Sequence, residues 1–85
     1  MKKTLLSGKW DGEKIEAMAR SRFLDIQMKG TLRTLPGSVH WHFKRKKEGG
    51  IFEVTLLTNG SAEVSFHDNR HALWVTEEMD FWAQL

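Results

Sequence analysis

From Leu24 to Thr34 the residue character changes at every step: Leu24, Ile26, Met28, Gly30 and Leu32 alternate with Asp25, Gln27, Lys29, Thr31 and Arg33. A period of two puts one set on each side of an extended chain, which is the pattern of a half-buried strand and not of a helix. Three more segments, Val39 to Lys46, Ile51 to Leu57 and Ser61 to His67, lie between the turn signals Leu35-Pro36-Gly37-Ser38, Glu48-Gly49-Gly50 and Thr58-Asn59-Gly60. His71 to Val75 is read as a fifth strand. Two-residue loops at Pro36-Gly37 and Gly49-Gly50 place Leu32 opposite Trp41, Gly30 opposite Phe43, Phe43 opposite Leu56 and Arg45 opposite Val54. A three-residue loop with Gly60 in the left-handed region places Val54 opposite Val64 and Phe52 opposite Phe66. These registers agree on one apolar face: Leu24, Ile26, Met28, Leu32, Trp41, Phe43, Phe52, Val54, Leu56, Ala62, Val64 and Phe66.

Such a face needs a cover. Residues 11 to 22 are rich in helix formers, with Asp11 placed to cap them and Ile15, Met18, Ala19 and either Arg22 or Phe23 on one side. After Thr76, a second possible cap, Met79, Trp82 and Leu85 recur at helical spacing. The expected fold is α+β: an N-terminal helix, a five-stranded antiparallel β-meander and a short C-terminal helix packed on one sheet face. With 85 residues there is room for one thin core, so residues 1–85 are expected to form a single domain. For the fifth strand, one loop length buries Leu73 and Val75, the other Ala72 and Trp74.

The formal charge of +2 conceals a division: residues 1–47 hold 12 Lys and Arg against 4 Asp and Glu, and residues 48–85 hold 1 against 7. The predicted polar face gathers Lys29, Arg33, His40, His42, Lys44 and Lys46, and Lys47 extends the run Lys44-Arg45-Lys46-Lys47 beside the Gly49-Gly50 turn. The same register sets Lys29 opposite Lys44, a like-charge pair that costs stability unless an anion neutralises it. These seven residues are therefore the candidate polyanion site, with nucleic acid or an acidic protein as partner. The acidic second half could also meet the basic half of another copy, making a homo-oligomer a further expectation. Trp10, Trp74, Phe81 and Trp82 lie near the chain ends and look too numerous to be buried in one thin layer, so they are candidate interface residues.

Catalytic signatures are lacking. The chain has no Cys, which removes disulfides, thiolate nucleophiles and Cys-ligated metals. It has no glycine-rich nucleotide loop, no Gly-x-Ser-x-Gly and no His-Glu-x-x-His. His40 and His42 share a strand face, but the expected register sets His42 level with Leu57 and Ser61, about 20 Å from His67. A site at His67, Asp68 and His71 lacks an orienting shell, so no metal or other cofactor is expected. Gly37-Ser38-Val39-His40 resembles in part the Gly-Ser-His segment of RNA-cleaving toxins of the HicA type; there His follows Ser directly, whereas here Val39 intervenes and two strands are extra. By that resemblance His40 or His42 would be the acid or base. The leading expectation is a non-enzymatic binding module; the alternatives are a small ribonuclease or toxin-like enzyme using His40 and His42, and a protein-only assembly factor. The apolar opening ends at Leu6, short of a signal sequence, and the longest apolar run is Ala72-Leu73-Trp74-Val75. A cytoplasmic protein without a membrane segment is expected.

Overall fold

The computed structural model describes residues 2–66 and 72–85. In chain order the elements are β1 (Lys2–Leu5), α1 (Gly12–Ser21), β2 (Asp25–Gly30), β3 (Val39–Lys44), β4 (Phe52–Leu56), β5 (Ala62–Phe66) and α2 (Leu73–Ala83). The α+β expectation holds, with five antiparallel strands in the order β1-β5-β4-β3-β2. The fifth strand is a different segment. It is Lys2–Leu5, paired with β5, whereas Leu73, Trp74 and Val75 open α2. That helix begins at N-cap Ala72 without a side-chain cap, so Thr76 lies inside it. A four-residue apolar run does not distinguish a strand from the buried stripe of a helix, and here Trp74, Val75, Glu78, Met79 and Trp82 form such a stripe. The expected His71 end of that strand, with His67 and Asp68, lies outside the described residues.

Both helices cover one side of the sheet. α2 lies over β1, β5 and β4. α1 lies towards β3 and β2, where Trp41 Nε1 donates to Glu16 Oε2 at 3.0 Å and Gly12 approaches the Trp41 ring. Between sheet and helices sit Leu24, Trp41, Phe43, Phe52, Val54, Ala62 and Val64, seven of the expected apolar face, together with Leu6, Trp10, Ile15, Ala19, Trp74, Val75, Met79 and Trp82. The expectation that the tryptophans exceed the core is corrected: Trp10 stacks on Trp82 at 5.8 Å, Phe52 packs on Trp82 at 5.4 Å, and Trp10, Trp74 and Trp82 are all buried. Phe81 packs partly buried against the same cluster, under the Arg22 guanidinium. No helix among the described residues is long and apolar enough to cross a membrane.

The β4–β5 register is as expected, with Val54 opposite Val64 and Leu56 opposite Ala62. The other two differ. β3 and β4 pair Phe43 with Phe52 and Trp41 with Val54, a shift of four that keeps the faces but moves the rows. β2 carries an irregularity between Ile26 and Met28, and Met28 pairs with His42, Lys29 with Trp41 and Gly30 with His40. A bulge adds one residue to one strand and reverses the facing of the residues beyond it. Met28 is thereby moved to the open side of the sheet, and Lys29 to the helix side, where its ammonium reaches Glu16 at 2.8 Å and lies over the Trp41 ring. The Lys29–Lys44 pair does not exist; Lys44 stands opposite Asp25.

The hydrogen bonds from Lys29 and Trp41 hold the Glu16 carboxyl below its ordinary value of 4.5. A carboxylate with a lowered folded pKa stabilises above its unfolded value and loses that contribution as pH falls through the folded one. Acidification from neutral pH to below 4.5 is expected to lower the melting temperature of the wild type more than that of Glu16→Gln, measured by circular dichroism.

Candidate functional site

Helix α1 ends in an unusual way. Arg22 is its C-cap, Phe23 N–H donates to the Arg20 carbonyl at 3.0 Å and Leu24 N–H to the Ala19 carbonyl at 2.9 Å. This is a Schellman ending, with Leu24 closing over Ala19 and the position between the C-cap and Leu24 left-handed, where glycine is usual. Here it is Phe23, at φ 61° and with 79% of its surface exposed. Of the two residues expected as alternatives on the buried face of α1, Arg22 turns to Glu78, and the aromatic ring of Phe23 points into solvent, on a backbone that L residues disfavour by about 1–2 kcal/mol. Among the described residues one other non-glycine has positive φ: Lys46, at 40°, in the β3–β4 turn.

These two residues line the same depression. With Ser21, Arg22, Arg45 and Glu48 they enclose about 480 Å³ between the end of α1 and the β3–β4 turn. Three of its six lining residues are cations, and Lys47, exposed, continues the turn. Arg22 and Arg45 are anchored from beneath by Glu78 of α2, a fully buried carboxylate. Arg22 donates through Nε to Oε1 at 3.2 Å and through a terminal nitrogen to Oε2 at 2.8 Å; Arg45 donates to Oε2 at 2.7 Å; Trp82 Nε1 donates to Oε1 at 3.2 Å. The hydrogen bonds to Glu78 make the Arg22 guanidinium hold its proton more tightly than usual. Arg22 also stacks over Phe81 and Arg45 over Trp74. Sequence reasoning missed Phe23, Arg22 and Glu78 as a unit, because no local pattern announces a left-handed aromatic or a carboxylate on the buried stripe of a helix.

The seven expected polyanion residues do not share a face. Lys46 lines the depression, Lys47 follows it in the turn, exposed, and Lys44 lies at the end of β3, paired in register with Asp25. Arg33 is exposed in the 31–38 connection, at the opposite end of β3. Lys29 is on the helix side with Glu16. His40 and His42 project from the open side of the sheet, into a second hollow of about 350 Å³ bordered by Lys3, Leu32, Leu35 and Glu63.

That second hollow is ordered by two rows of paired residues. One runs Lys3, Ser65, Glu53, His42, Met28; the other Leu5, Glu63, Thr55, His40, Gly30. His40, Glu53, Thr55 and Ser65 are buried although they lie on the side of the sheet away from α1 and α2. His40 Nε2 lies 3.0 Å from Glu53 Oε1, His40 Nδ1 is 2.7 Å from Thr55 Oγ1, and His42 Nε2 is 3.5 Å from the same Glu53 oxygen. The two imidazoles meet edge to face at 5.0 Å. Ser38, also buried, donates its hydroxyl to the Leu35 carbonyl at 2.6 Å and so fastens the loop beside this hollow. Neither a protein-family model, nor a curated protein, nor a solved structure matches the chain.

Proposed function

We propose that the protein is a non-enzymatic binding module that takes a polyanion, nucleic acid first, at the depression between Phe23 and the Arg45-Lys46-Lys47 turn. One observation carries the reading: the two non-glycine residues with left-handed backbone among those described line one depression, and one is an exposed aromatic beside the cations. Backbone strain of this kind persists where the surrounding structure enforces it, and it collects at binding sites. A π face next to guanidinium and ammonium groups suits a single strand, whose base stacks on the ring while its phosphates meet the cations. The Glu78 anchor favours the same reading, since arginines held in one arrangement lose little rotamer freedom on binding.

The test is a titration of labelled protein with a short single-stranded RNA at two salt concentrations, monitored by amide shifts. Shifts at Arg22, Phe23 and Arg45 to Lys47 are expected, weakened by salt with a slope of about 0.7 per phosphate contacted. Absence of shifts at low salt overturns the reading; the same shifts with an acidic peptide and none with RNA would assign a protein partner. A scattering mass above 9.9 kDa would add association between copies. Phe23→Gly separates binding from stability. Relief of the left-handed strain, less the chain entropy of glycine, is expected to stabilise by about 0.5–1 kcal/mol, a rise of a few degrees in Tm. RNA affinity should fall several-fold in the same variant.

A further inference from the structure

We propose that His40, His42 and Glu53 form a binding site for a divalent first-row transition metal, of the zinc type, in the hollow on the open side of the sheet. One ligand atom from each, two imidazole nitrogens and a carboxylate oxygen, lies within 4.8 Å of the others. Tetrahedral zinc, with bonds of about 2.0–2.2 Å to nitrogen and oxygen, sets its donors roughly 3.3–3.5 Å apart. The separations from Glu53 Oε1 to His40 Nε2 and His42 Nε2, 3.0 and 3.5 Å, bracket that spacing, and the two imidazole donors lie within 4.8 Å of each other, so an ion would take the place of the His40–Glu53 contact and draw the imidazoles in on it.

The supporting shell is also present. When Nε2 of His40 binds an ion, Nδ1 carries the ring proton, and Thr55 Oγ1 stands 2.7 Å away to accept it. Metal-binding histidines are commonly oriented by such a partner on the second nitrogen. All three ligands come from adjacent strands, His40 and His42 on β3 and Glu53 opposite His42 on β4, which fixes their spacing through the ladder. Burial of His40 and Glu53 excludes competing water, while the His42 side chain remains 30% exposed and leaves an entry path. Among the described residues, the lining holds two carboxylates, Glu53 and Glu63, against the Lys3 ammonium, a balance that does not repel a cation. Three protein ligands supply three of the four positions of a tetrahedral ion, and the fourth falls to a further ligand. The site shares no residue with the Phe23 depression, and the proposal does not depend on that reading.

Cobalt(II) titration of the metal-free protein, monitored by visible absorption, with zinc competition by calorimetry, tests it. The expected result is one ion per chain, tetrahedral-type cobalt bands, and displacement of cobalt by zinc. His42→Ala and Glu53→Gln should each weaken binding at least tenfold, Thr55→Val about 10–100-fold, and Glu48→Gln, on the distant turn, not at all. Amide spectra of the variants before titration establish that each is folded, and His42→Ala removes only a half-exposed side chain. Failure of the wild-type protein to bind either ion, or binding that survives both His42→Ala and Glu53→Gln, overturns the proposal.

Discussion

Replacing Arg22 and Arg45 together by Ala is expected to cost about 1 kcal/mol more than the two single replacements added. Each single variant leaves Glu78 with one guanidinium and the Trp82 N–H, and should lose about 1–2 kcal/mol, the larger share for Arg22 with its two bonds and its stack on Phe81. The double variant leaves a fully buried carboxylate without a cation, a situation that costs about 3–5 kcal/mol. A chain of this size has roughly 4–13 kcal/mol in all, so the double variant loses between about a quarter of its stability and the whole. The guanidinium groups themselves are 31% and 26% exposed and return to water when released, so the loss resides in the carboxylate. Adding Glu78→Gln to the double variant should therefore recover most of it, since no charge remains buried. Urea denaturation of the singles, the double and the triple measures the coupling; additive singles, or a triple no more stable than the double, would show that Glu78 is not the seat of the effect.

How much of the fold and of both sites is legible in the sequence depends on what sets each register. The β4–β5 pairing can be read because Gly60, at φ 87°, takes the left-handed position that a three-residue loop requires, and the hairpin sets its own register. The β3–β4 pairing cannot. Gly49-Gly50 reads as a tight two-residue turn, but α2 uses this pair: Trp74 Nε1 donates to the Gly49 carbonyl at 2.7 Å and Gly50 packs on Ala72. The resulting shift of four residues leaves every aromatic of β3 and β4 on its expected side, so the core is legible. It also moves His42 from the level of Leu57 to that of Glu53, and so creates the grouping of His40, His42 and Glu53 that the expected register does not contain. On β2 the slip is odd, and it exchanges Lys29 for Met28 on the open side. The N-terminal strand has no alternation to announce it, only four residues, Lys-Lys-Thr-Leu, whose pairing with β5 is a tertiary event.

Gly50→Ala should strike both the fold and the proposed binding site. Gly50 sits at φ +95°, a conformation that costs an alanine about 1–2 kcal/mol. Its Cβ would lie 2.5 Å from the Ala72 Cβ and 3.2 Å from Val75 Cγ2, atoms fixed close to the backbone of α2 that cannot swing aside. Overpacking of this kind costs about 1–3 kcal/mol more, for a total near 2–5 kcal/mol. Gly49→Ala is the control, because an added Cβ there meets nothing within 4 Å, and it should change stability by less than about 0.5 kcal/mol. The functional consequence depends on where the strain is relieved. The turn can escape the clash only by lifting away from α2, which loosens the Trp74 hydrogen bond to Gly49 and displaces Arg45 from Glu78. RNA affinity in Gly50→Ala should then fall together with stability, with shift changes in the free protein at Arg45 to Lys47 and at Trp74. Loss of stability with unchanged binding would mean that the basic turn works without its seat on α2, and would remove preorganisation from the proposed function.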